Sequence, residues 1–240
     1  MLLTVILLVV VGYVAGALPF GYWTGKIVKG IDIREHGSGS TGATNVYRCV
    51  GKAAGAFVFI VDNLKGALPV LFCQFLEQHA AFAEIGTNSS WIPVLVAIAA
   101  LIGHSKSVFL DWQGGKSAAV GLGSLFALNF IGGLLTCITF FSVTYLSKIV
   151  SIGSLTAVGM CAVYFYFLHA PTPYVIYCLI GFAYVGYRHK ANIQRLMNGT
   201  EPRYDQKPAT GKTLPSKSSA TTAIESAEQI NKEDSKAILQ

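Results

Sequence analysis

Charge is scarce in this sequence. Only 12% of its 240 residues are Asp, Glu, Lys or Arg, against roughly 25% in a soluble domain. So few charges cannot cover a water-facing surface, and a soluble globular protein is excluded. The mean hydropathy of +0.52 and the 52% hydrophobic content agree. Cysteine gives no metal or disulfide framework: Cys49, Cys73, Cys137, Cys161 and Cys178 lack ligand spacing, and four of the five lie in apolar runs as small hydrophobes. No internal repeat of useful length is present. The net charge of +6 is modest and follows loop bias, so it does not call for nucleic acid.

Other absences narrow the chemistry. No histidine is followed by aspartate after four intervening residues, no Gly-x-Ser-x-Gly elbow occurs, and no acidic cluster suits a Mg²⁺-dependent phosphotransferase. An enzyme built on this chain must work through cations, amides and one or two histidines, with no metal and no cofactor.

Long apolar runs are what the chain has. A helix needs about 20 apolar residues to cross a bilayer. Candidates are 2–24, 53–76, 91–110, 118–147, 152–168 and 173–187. The first lacks a basic leader and is read as a span. The run 118–147 is too long for one helix. It carries Asn129 and then Gly132-Gly133, so the expectation is two helices meeting near Asn129, with 118–129 short or half-inserted. The fold expected is therefore all-α and polytopic, with about seven transmembrane helices. Lys26, Lys29, Arg34, Arg48 and Lys52 fill the first loop, while loop 77–90 has Glu77 and Glu84 and no basic residue. Lys106 and Lys116, then Lys148, then Arg188, Lys190 and Arg195 mark alternate later turns. By the positive-inside rule the N-terminus lies outside and the basic loops lie in the cytoplasm. Six crossings break this alternation. Residues 1–200 then form the membrane domain. Residues 201–240 are a polar cytoplasmic tail for which disorder is the default, with a short helix conceivable over 223–230.

Three polar islands sit at the cytoplasmic ends. The first is Gly37-Ser38-Gly39-Ser40-Thr41-Gly42, followed by Thr44, Asn45 and Arg48. It matches a dinucleotide fingerprint literally but lacks the strand–turn–helix context that motif requires. What remains is a small-residue loop whose NH groups can surround an anion. A plain turn does not call for Thr44, Asn45 and Arg48 at near-helical spacing. The second, Gly114-Gly115-Lys116-Ser117, fails as a Walker motif because Leu110 stands at the first glycine position. It places a lysine before a helix N-terminus, where an anion is favoured. The third, Arg188-His189-Lys190-Ala191-Asn192, combines stop-transfer charges with a His and an Asn on one helical face. Asp62 and Lys65, at i and i+3 inside a span, are a functional candidate or a structural ion pair. His104 is an accessory position, more ordinarily a satisfied interface residue. Enzyme and organic-phosphate carrier both remain open on these residues alone. Islands at the helix ends fit a carrier less well than a midplane site does.

The islands in order carry a family resemblance. Ile31 through Gly39 with Gly42-Ala43-Thr44-Asn45 and Arg48, Asp62-x-x-Lys65-Gly66, Gly103-His104 through Lys116, and Arg188-His189-x-x-Asn192 with Gly199-Thr200-Glu201 resemble the bacterial acyl-phosphate:glycerol-3-phosphate acyltransferases. The resemblance spans about residues 1–203. It implies a seven-helix enzyme of the bacterial inner (plasma) membrane that works at the cytoplasmic face. Its substrates would be glycerol 3-phosphate and a long-chain acyl phosphate, its surroundings membrane lipids. The soluble enzyme that makes acyl phosphate would be a further partner. The implied phosphate ligands are Ser38, Gly39, Thr44, Asn45, Arg48, Gly115, Lys116, Ser151 and Arg188, with His189 and Asn192 at the chemical step. Either His189 or a phosphate oxygen of the donor takes the proton, and the resemblance favours the second. Ser40, Lys106, Ser107 and Ser117 depart from the family's usual Asn, apolar residue, Pro and Gly.

Overall fold

The computed structural model describes residues 2–78 and 90–205, whose regular elements are all helices, with no strand among them. The acidic loop expected on the outer side, at Glu84, and the short helix conceived over 223–230 lie outside the described residues. Ten helices follow in chain order: α1 Leu2–Ala17, α2 Phe20–Lys29, α3 Ala43–Cys49, α4 Lys52–Gln78, α5 Trp91–Ser105, α6 Ala118–Leu128, α7 Phe130–Ser147, α8 Val150–Phe167, α9 Thr172–Arg188 and α10 Lys190–Met197.

Five stretches are long and apolar enough to cross a membrane: 2–29, α4, 91–110, α7 and α8. With the 17 residues of α9 and the 11 of α6, this is the expected helical membrane protein of about seven membrane helices, one of them short. At 1.5 Å per residue α6 spans about 16 Å, roughly half of a 30 Å hydrocarbon core. The long run 118–147 breaks at Asn129, whose side chain accepts from Gly132 N at 2.8 Å and caps α7.

Two expected boundaries differ. The run 2–24 is not one helix, because Pro19 has no NH to continue the ladder and α2 restarts at Phe20. The α-helix expected to reach residue 110 ends at Ser105, and a 3₁₀ turn covers Val108–Leu110. The described residues continue through Asp205, and Glu201 among them is buried.

Packing follows small residues. Gly12 and Gly16 of α1 lie against the backbone of Val96 and Ala100 on α5, and Gly103 of α5 lies against Tyr13 and Ala17. Side chains there would strike main-chain atoms, so these two helices approach as close-packed membrane helices do. The core between the helices holds Val70, Val96, Ala100, Leu101, Val120, Phe165 and Tyr177. Leu3, Phe57, Leu68, Phe130, Tyr166 and Phe167 point outward and are exposed, as lipid-facing residues must be.

Candidate active site

The first island is shaped by one amide. Asn45, on α3, is 1% exposed. Its Oδ1 accepts from Ser38 N at 2.9 Å, and its Nδ2 faces the carbonyls of Ile33, His36 and Ser40 at 3.1, 2.9 and 2.9 Å. Those contacts satisfy backbone groups that a tight loop leaves open. Asn45 therefore builds the loop that presents Ser38 and Thr44. One turn along α3, Arg48 reaches the carbonyl of Pro202 at 3.2 Å.

The second island is anchored from both sides. Gly115 N donates to His104 O at 3.1 Å, and Arg188 donates to Gly115 O at 2.9 Å. Ser117 adopts a left-handed conformation at φ 65° and donates to Leu101 O at 2.7 Å. The Ser107 hydroxyl donates to Ala17 O at 2.6 Å and accepts from Phe109 N at 3.2 Å. Two of the four departures from the family pattern, Ser107 and Ser117, are thus accommodated by hydroxyl hydrogen bonds.

The third island supplies His189 and Asn192. His189 Nδ1 donates to Val185 O at 2.8 Å. Burial pushes the ring's pKa down to about 4, so it is neutral near pH 7. With Nδ1–H committed, Nε2 carries the lone pair and suits a hydroxyl donor. To donate to a phosphate oxygen the ring must gain a proton, which an adjacent dianion favours.

Asn192 joins the islands. Its Oδ1 accepts from Lys116 Nζ at 2.7 Å and its Nδ2 donates to Glu201 Oε1 at 2.6 Å. Ser151 donates to the same oxygen at 2.8 Å, and Arg195 donates to Oε2 at 2.7 Å. Burial works to raise the Glu201 pKa, but these donors hold it below its ordinary value. The charged groups acting on Lys116 are Glu201, Arg195, Arg48 and Arg188. One carboxylate thus stands among four cations. Burial pushes Lys116 down to about 8, with Glu201 opposing and the three arginines adding to the shift. Burial also lowers Arg48. A partly desolvated cluster in which cations outnumber the carboxylate has the electrostatics that suit an anion.

The cluster heads a cavity of about 130 Å³. Ser38, Thr44, Asn45, Arg48, Lys116, Ser151, His189 and Asn192 line its head, and Asp62 and His104 border it. Phe140, Val158, Cys161, Tyr177 and Cys178 line its apolar depth. From Ser151 to Cys161 the wall of α8 runs about 15 Å. The shape suits an amphiphile with an anionic head. Gly39, Gly115, Arg188 and Lys65 do not border the cavity. Lys65 Nζ instead pairs with Asp62 Oδ1 at 2.8 Å, both side chains being buried. Glu201 and Arg195 were not expected among the site residues. The signal for Glu201 was its place in the last block of the resemblance. Among the described residues, no cluster of three or more His, Cys, Asp or Glu side chains could hold a metal ion.

The chain matches the family model for glycerol-3-phosphate acyltransferase over residues 6–199. It is 47% identical over 203 residues to the glycerol-3-phosphate acyltransferase of Crocosphaera subtropica, covering 84% of this chain and 94% of that protein. A relative of the same name from a Nostoc species is 44% identical over 209 residues, covering 84% and 92%. Among solved structures, the chain is similar to PlsY, described as an integral membrane glycerol 3-phosphate acyltransferase. The match to its glycerol 3-phosphate form has a TM-score of 0.75 and 33% identity, covering 83% of this chain and 95% of that one. The match to its lysophosphatidic acid form has a TM-score of 0.73 and 32% identity, with the same coverage.

Proposed function

The chain belongs to the glycerol-3-phosphate acyltransferase family, and on that premise we propose that it acylates the sn-1 hydroxyl of glycerol 3-phosphate with a fatty acyl phosphate. The products are lysophosphatidic acid and phosphate. The observation that carries this reading is the pair of cations Arg48 and Lys116 at the mouth of an apolar slot, with Lys116 bonded to Asn192 and Asn192 to Glu201. An anionic head and an acyl chain fit there together.

An acyl phosphate is a mixed anhydride and is already activated. The sn-1 oxygen attacks the acyl carbon, an ester C–O bond forms, and the acyl C–O bond to phosphate breaks. Phosphate leaves with the electron pair of that bond. The proton of the hydroxyl passes to a phosphate oxygen of the donor, and His189 Nε2 orients the hydroxyl through its lone pair. Two phosphate-bearing substrates repel, so the main task of the site is to neutralise and position them. Each charge-assisted contact contributes about 1.5–3 kcal/mol. The similar structures in glycerol 3-phosphate and lysophosphatidic acid forms support this acceptor and product. The basic loops support a site at the cytoplasmic face of a bacterial inner membrane.

Purified protein incubated with glycerol 3-phosphate and either palmitoyl phosphate or palmitoyl-CoA tests the donor. Turnover with the phosphate and none with the thioester is expected. The reverse result refutes the reading.

A further inference from the structure

His104 takes no part in the chemistry above, yet the turn before Lys116 is moulded on it. Gly115 N donates to its carbonyl at 3.1 Å. A side chain on Gly114 would overlap that carbonyl oxygen, and one on Gly115 would overlap ring atom Nε2. This close approach is what the paired glycines are for. The ring is backed from below by an ion pair. Its Nδ1 lies 3.8 Å from Asp62 Oδ1, which lies 2.8 Å from Lys65 Nζ. Lys65 donates to Leu18 O at 2.8 Å, at the break between α1 and α2. Asp62, Lys65 and His104 are 1%, 6% and 5% exposed. Asp62 Oδ2 has no hydrogen-bond partner among the described residues. Such a buried cluster is costly to build and is kept where it fixes something. Nε2 lies against Gly115 and Nδ1 faces Asp62.

We propose that His104, backed by the Asp62–Lys65 pair, is a positioning residue that fixes the Gly114-Gly115 turn and so sets Lys116 against the phosphate of glycerol 3-phosphate. This rests on the reading of Lys116 as a phosphate ligand. It makes anion affinity at the membrane surface depend on an ion pair inside the membrane.

Titration calorimetry with glycerol 3-phosphate on the purified full-length protein in detergent tests this without any acyl donor. Gly115→Ala is expected to weaken binding tenfold or more, because its methyl strikes the ring. His104→Ala is expected to weaken it up to tenfold. The double variant is expected to bind no more weakly than His104→Ala alone, because the obstructing ring is gone. Losses that multiply in the double variant overturn the proposal. Should Gly115→Ala not fold, Asp62→Asn and His104→Ala take its place, with the double variant no worse than the weaker single. In turnover assays the KM for glycerol 3-phosphate should rise while that for the acyl donor stays within about twofold. A parallel rise in both overturns the positioning role. Wild-type protein that does not bind glycerol 3-phosphate strikes at the phosphate site itself. Normal wild-type binding with unaltered variants strikes only at His104.

Discussion

Lys116 Nζ donates to Asn192 Oδ1 at 2.7 Å, joining residues 76 positions apart. The contact fixes the orientation of the Asn192 amide, because its oxygen is committed to the ammonium and its NH₂ to Glu201. It also parks the lysine at the cavity head before any anion arrives. The site is organised in advance, and that lowers the reorganisation needed when charge develops.

Removing either full charge should therefore be expensive. Lys116→Ala or Arg48→Ala is expected to lose about 2–4 kcal/mol in kcat/KM, roughly 30- to 1000-fold. Steady-state kinetics on variants that keep wild-type helicity would measure this. A loss under threefold at both positions contradicts the assigned roles.

Lys116 also predicts an alkaline limb. Its pKa of about 8 means that the ammonium is present below pH 8 and is lost above it. kcat/KM for glycerol 3-phosphate should fall as pH rises past 8, since that ratio reports the free enzyme. Lys116→Arg keeps its charge at such pH. In that variant the limb should vanish, even if the absolute rate is lower.

His189 predicts the opposite kind of result. With its pKa near 4, the free enzyme's imidazole does not titrate between pH 6 and 7. An acidic limb near pH 6 then belongs to the phosphate, whose second proton binds there. His189→Gln should keep partial activity and an unchanged limb. A limb that disappears with the histidine would make His189 the base.

Glu201 is a matter of stability first. Its side chain is 2% exposed, while that of Arg195 is 35% exposed. Glu201→Ala is expected to cost about 2–3 kcal/mol, less than the roughly 3–5 for a fully buried pair. The native pKa is depressed. The stabilisation is therefore complete above the ordinary Glu value and is lost as pH falls through the lowered one. Thermal unfolding in detergent should show a lower Tm at pH 7 and a flatter acid dependence for Glu201→Ala.

Orientation can be read by chemistry. A cysteine at Thr172 should react with a membrane-impermeant maleimide added outside cells, and one at Ser40 or Gln113 should not. Labelling of Ser40→Cys from outside would invert the arrangement.

Much of this was legible in the chain. The overlong run 118–147 announced its own break, because Asn129 interrupts an apolar stretch no bilayer could hold straight. The i, i+3 spacing of Asp62 and Lys65 announced their pairing. The break at Pro19 was hidden because the residues on both sides are equally apolar, and hydropathy does not see a missing NH. Glu201 was hidden for another reason. In sequence it is the first acid of a polar tail, and its value comes from Ser151, which lies 50 positions away. Asn45 shows the limit of residue type: an amide suited to a phosphate is equally suited to loop carbonyls, and here it serves the loop.

The glycine face of α1 has a consequence in time. Its partner α5 begins at Trp91, while α1 ends at Ala17. At about 5–20 residues per second of synthesis, the ribosome adds the intervening stretch of roughly 70 residues in about 4–15 seconds. Through that interval the helix that receives Gly12 and Gly16 has not been made. A small-residue stripe of this kind readily finds another copy of itself. Until α5 arrives the glycine stripe of the first helix lacks its own partner, and crowding of unfinished chains is the hazard that this packing brings.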